Sequence, residues 1–113
     1  MGILSALFPR KNREPNALVG CWQIIKTEGQ PYEPAEADFQ DDGRLYYSVL
    51  SGERWGIMKL RYRIEGDTLV TDQPSSPREE RSRFVLAPDG TLTIEFGGDK
   101  SVFRRGEKKA PKV

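Results

Sequence analysis

The connections along this chain constrain its fold more than any single residue does. Tight Asp/Gly turns at Asp41-Asp42-Gly43, Glu65-Gly66-Asp67 and Pro88-Asp89-Gly90 alternate with longer connections over 27–35, 51–56 and 73–77. The segments between them alternate in polarity. The clearest sets Met58, Leu60, Tyr62 and Ile64 against Lys59, Arg61, Arg63 and Glu65. Only a strand puts every second side chain on one face. In an antiparallel meander, successive connections fall at opposite ends of the sheet. The tight turns then gather at one end and the longer loops at the other. This rhythm predicts a small barrel with a closed base and an open mouth.

Eight strands fit the pattern: Leu18–Lys26, Glu36–Gln40, Arg44–Leu50, Met58–Glu65, Thr68–Asp72, Glu80–Ala87, Thr91–Phe96 and Lys100–Arg105. The expected fold is all-β, a single eight-stranded antiparallel up-and-down barrel over residues 17–105. An even strand number lets the first strand meet the last, which removes the exposed edges of a flat sheet. A tail over 1–16 precedes the barrel. In it Ile3, Leu4, Leu7 and Phe8 recur at helical spacing, enough for a short helical turn before Pro9. A charged tail over 106–113 follows.

Composition narrows the function classes. Apolar residues make up 36% and charged residues 31% of 113, a balance suited to a sheet wetted on one face. The formal net charge of +1 gives no general case for nucleic acid. Charge is nevertheless uneven: residues 14–103 carry 10 basic and 16 acidic side chains, a balance of −6. The tails are basic. Cys21 is the one cysteine, so no internal disulfide forms, and a cytoplasmic setting is expected. The chain has no histidine, which removes His-based triads and His metal sites. No apolar run is long enough for a membrane-spanning helix. No cofactor or metal is called for, and the neighbouring carboxylates Asp41-Asp42 and Glu79-Glu80 would face opposite sides of a strand. An enzyme is not expected.

The inward positions carry Trp22, Ile24, Phe39, Leu45, Tyr47, Val49, Met58, Leu60, Tyr62, Ile64, Leu69, Phe84, Leu86, Leu92, Ile94, Phe96 and Phe103. Nearly all are large, which predicts a packed interior rather than a roomy pocket. Tyr47 and Tyr62 keep a pocket open as the alternative, because a buried hydroxyl needs a partner. At the mouth, Trp55 stands between glycines and Tyr32 between prolines, with Arg54 and Arg78 nearby. Aromatics beside arginines are enriched at binding hot spots. Trp55 is read either as a contact residue or as a cap folded onto the barrel. At the base, Arg10, Lys11, Arg13, Lys108, Lys109 and Lys112 would gather from both tails. They are read as solvated, with a weak contact to an anionic membrane surface as the alternative.

Gly20-Cys21-Trp22 at the start of the first strand, with Arg104-Arg105 at the end of the last, resembles the lipocalin (calycin) pattern, closest to the small bacterial lipocalin-like domains. The resemblance implies that Trp22 packs at the barrel base with an arginine across it, a cation–π contact. Arg105 is favoured because it shares strand parity with Phe103, and Arg104 is the alternative. The family further implies a barrel that holds a small apolar molecule. The first expectation is therefore a non-enzymatic binding module, its site formed at the mouth by Tyr32, Arg54, Trp55, Arg78 and the upper wall with Tyr47 and Tyr62. The second is a protein-interaction module, such as a small inhibitor or immunity-type protein, using the same loops on a packed barrel.

Overall fold

The computed structural model describes residues 17–96 and 98–112, the Phe96 side chain excepted. The expected N-terminal turn, the basic residues Arg10, Lys11 and Arg13, and the inward placement of Phe96 lie outside the described residues. Among those described, eight antiparallel strands form a closed barrel: β1 (Gly20–Glu28), β2 (Ala35–Phe39), β3 (Arg44–Ser51), β4 (Arg54–Glu65), β5 (Thr68–Asp72), β6 (Glu79–Leu86), β7 (Leu92–Phe96) and β8 (Asp99–Arg105). Each strand pairs with its neighbours in sequence, and β1 pairs with β8 to close the ring, Trp22 opposite Arg105. Among the described residues no helix is long and apolar enough to cross a membrane.

The three Asp/Gly turns lie together at the base, as the rhythm predicts. The connection expected over 51–56 differs. Ser51 pairs with Arg54, so Gly52-Glu53 is a two-residue hairpin loop and β4 begins before Trp55. Gly52 holds φ at +64°, a conformation that a hairpin loop needs and glycine adopts without strain. The mouth thus has longer loops only at 29–34 and 73–78.

The core sits at the base half. Trp22, Phe39, Leu69, Leu92 and Phe103 are buried, and Phe39 meets Tyr62 edge to ring at 5.0 Å. Leu86, expected inside, is 42% exposed. It stands past Thr68, the first residue of β5, which pairs with Arg83, so no neighbour on that side covers it.

A β-bulge interrupts β1 between Ile24 and Lys26. Ile24 pairs with Phe103, and Lys26 and Thr27 pair with Val102 and Ser101. The extra residue shifts the alternation, so Thr27, rather than Lys26, shares the inner face with Ser101. A lysine is thereby kept out of the barrel.

The residues after Arg105 form a strap on the outer wall. Gly106 donates its N–H to the Cys21 carbonyl at 3.1 Å, and Gln23 Nε2 donates to the Glu107 carbonyl at 2.6 Å. The strap then reaches Glu36, which faces outward on β2 yet is fully buried. Its carboxylate accepts from Gln23 Nε2 (2.9 Å), Lys109 N (2.6 Å), Ala110 N (3.2 Å) and Lys108 Nζ (3.1 Å). Burial opposes the charge on Glu36, but these donors together outweigh it and hold the carboxyl below its ordinary range. Lys108 also pairs with Asp38 at 3.3 Å. The expectation that Lys108 hangs free in a basic tail is corrected: it is bound to the barrel's own carboxylates.

Candidate functional site

The base is built from the residues that carry the Gly-x-Trp pattern. Trp22 is 1% exposed, and its Nε1 donates to the Leu18 carbonyl at 2.9 Å. Arg105, not Arg104, lies across it, with Cζ 4.2 Å from the ring centroid. The same guanidinium donates to the carbonyls of Val19 (2.8 Å) and Ala17 (2.9 Å). Gly20 is favoured here by its backbone, and a Cβ would also press on the Arg105 guanidinium. Its φ is +125°, and a Cβ would stand 2.6 Å from Arg105 Nη1. Tyr62 belongs to this end as well. Its hydroxyl donates to the Gln40 carbonyl at 2.8 Å. Burial, with Asp41 and Asp42 close by, pushes its pKa up to about 12. The structure places it away from the mouth, its hydroxyl already satisfied by the chain.

Above this base the interior opens into a cavity of about 460 Å³. Phe39, Leu45, Leu60, Leu69 and Phe103 supply its apolar floor and walls. Asp72, Arg78, Glu80, Gln30 and Ser76 ring the upper part. The expectation of a filled barrel is therefore corrected. One alanine on β2 and two hydroxyl residues make the space: Ala37, Thr71 and Ser101 line it where larger side chains would fill it. Met58 is inward by register, yet 43% exposed, because it faces this opening. Tyr47 also lines the cavity and stacks edge-on with Phe103 at 6.4 Å. Burial raises its pKa, and its hydroxyl has no hydrogen-bond partner among the described residues.

The other residues singled out for the mouth are dispersed. Arg78 lines the cavity; its N–H donates to Asp72 Oδ1 at 2.8 Å, and its guanidinium approaches Glu80 at 3.8 Å. Arg54 is exposed at the β3–β4 hairpin. Tyr32 is 55% exposed in the 29–34 loop and does not line the cavity. Trp55 is opposite Leu50 on β3 and, being odd-numbered on a strand whose even positions face in, points outward. Neither the loop position nor a cap on the barrel describes it: it is a half-buried residue of the outer wall. Among the described residues no group of three or more Cys, Asp or Glu side chains is placed to hold a metal ion.

No family model and no curated protein matches the chain. Among solved structures, an uncharacterized protein from Bacteroides eggerthii is similar, with a TM-score of 0.60 at 13% identity. The match covers 78% of this chain and 98% of that one. The likeness is one of fold.

Proposed function

We propose that this chain is a non-enzymatic, lipocalin-like binding module that holds a small, largely apolar molecule in the barrel mouth. The observation that carries this reading is the 460 Å³ cavity, with an apolar floor and a polar rim open to solvent. That is the size and chemistry of small-molecule sites, where apolar walls give affinity and a few polar groups give orientation. Tyr47 is the polar group best placed to orient a guest from the wall. The Gly20, Trp22 and Arg105 arrangement supports the family resemblance at the opposite end. A cytoplasmic setting accords with a lone, unpaired Cys21. The reading as a protein-interaction module is supported by the exposure of Tyr32 and Arg54 at the rim, whereas the cavity favours the binding module.

The test is titration with an uncharged, environment-sensitive naphthylamine dye. Saturable binding near one dye per chain is expected. Ser101→Leu, which puts a larger side chain into the cavity wall, should abolish binding while the far-ultraviolet circular dichroism stays that of the barrel. No saturable binding to the folded protein, or undiminished binding by Ser101→Leu, would overturn the proposal.

A further inference from the structure

A second concavity, of about 480 Å³, lies on the outer wall. Its floor is the outer face of β3 and β4, and the loop over 73–75 forms one side. Arg44 and Arg61 face each other across the two strands, and Tyr46 faces Lys59. Like charges directly opposite one another on a sheet are disfavoured unless something neutralises them. Asp72 stands opposite Arg61 on β5, but its carboxylate accepts from the Arg78 N–H rather than from the Arg61 guanidinium. Among the described residues Lys59 and Arg61 form no ion pair, and Arg44 reaches only Asp42 of its own turn, at 3.5 Å.

The adjoining outer face of the same barrel is handled differently. Arg63 and Arg81 each bridge both Glu65 and Glu79, at 2.7 to 3.8 Å, in a closed network over buried Val70. Strand β4 thus carries a neutralised cation at 63 and unpaired ones at 59 and 61. Residues 14–103 carry a net −6, so the unpaired cations do not follow from a general excess of positive charge. Toward the mouth the same strip becomes apolar, through Ile57 and then the Leu50–Trp55 pair.

We propose that this outer face of the β3–β4 hairpin docks an extended acidic segment of a protein partner, with an apolar residue at its mouth-side end. Arginine forks suit carboxylates geometrically, and Arg, Tyr and Trp are the residue types that dominate interface energetics. The strip follows eight residues of β3, roughly 25 Å at ~3.3 Å per residue, which suits a segment of similar length. The 73–75 wall makes a groove rather than a plane, which favours a chain over a membrane surface. Strand β4 pairs with β5 only from Arg61 to Glu65, so its backbone over 54–60 is open on that side and can add main-chain hydrogen bonds to the side-chain contacts.

A short fluorescent peptide with one phenylalanine followed by spaced glutamates is the probe, with a lysine-for-glutamate version as its control. Anisotropy at low ionic strength should show binding of the acidic peptide alone. The double variant Lys59→Glu/Arg61→Glu should weaken it by about tenfold or more, since rim charges govern such encounters. Arg104→Glu, an exposed cation on β8, should leave it unchanged. Dye binding in the barrel should persist in both variants and shows that they are folded. No acidic-peptide binding, or equal affinity in the double variant, overturns the proposal. So does loss of binding to phosphatidylserine vesicles in the double variant when the peptide never binds, because the face would then be a membrane contact.

Discussion

The two ends of the barrel are made from the same eight strands, yet they use their polar atoms in opposite ways. At the base, the indole of Trp22, the guanidinium of Arg105 and the hydroxyl of Tyr62 all end on backbone carbonyls of the chain itself. At the mouth, Tyr47 keeps a hydroxyl without a partner among the described residues, and the Arg78 side chain is 82% exposed. The lower half is closed by contacts that serve only the fold. The upper half gives up packing for a cavity. Stability and the proposed binding thereby fall in different layers of one small domain, and each can be probed separately.

The largest expected effect comes from the base. Trp22→Ala removes a buried ring and its cation–π partner, and should lower stability by ~3–5 kcal/mol. Trp55→Ala, on the half-buried outer wall, should cost about 1 kcal/mol. Urea unfolding compares them, and equal midpoints would break the contrast between a structural base and the rest of the wall. The strap comes next. Glu36→Gln keeps the shape but loses the charge that gathers Lys108, Lys109 and Ala110, and should cost about 2 kcal/mol at neutral pH. The folded Glu36 carboxyl lies below its ordinary value of 4.5. Its contribution is therefore complete above that pH and disappears as pH falls through the lower folded value. Melting curves of the two proteins should converge under acid. A gap that persists there would mean that shape, not charge, holds the strap.

The smallest effects sharpen the comparison most. Tyr62→Phe should cost about 1 kcal/mol by losing the bond to Gln40. Tyr47→Phe should change stability by less than about 0.5 kcal/mol, because no bond within the described chain is lost. Alkaline unfolding adds a second readout. Tyr62 titrates near 12 when folded and near 10 when unfolded, so its contribution is present below pH 10 and lost as pH rises toward 12. Tyr62→Phe should flatten that limb.

Much of the fold was legible because period-2 alternation and Asp/Gly turns are local signals. The β4 pattern from Met58 to Ile64 follows from strand parity, and so does the choice of Arg105 over Arg104, while the contact with Trp22 itself is what the family resemblance implies. What escaped was non-local or depended on one residue. The hairpin at Gly52-Glu53 is masked by the glycines on either side of Trp55, which read as a loop although Ser51 and Arg54 simply pair. The bulge at Ile25 leaves no strong compositional mark, so Thr27 was not placed inside. The cavity is not legible from the large inward residues, because the room comes from Ala37, Thr71 and Ser101 between them. The strap did leave a trace. Glu36 and Asp38 both point outward from β2, and the acidic barrel was set against basic tails, but that charge asymmetry was assigned to solvent or a membrane rather than to the chain itself.

Closure at the β1–β8 seam has a kinetic consequence. Arg105 meets Ala17 across a sequence separation of 88 residues, and Lys108 meets Glu36 across 72. Hairpins between neighbouring strands form from local contacts, whereas this seam waits until every intervening strand is in register, with the loop-closure entropy that such a span carries. Barrel closure should thus be the slow step of refolding, on the order of milliseconds to seconds. Since Ser101 and Phe103 of β8 line the cavity, dye binding should appear with that slow phase and not before it.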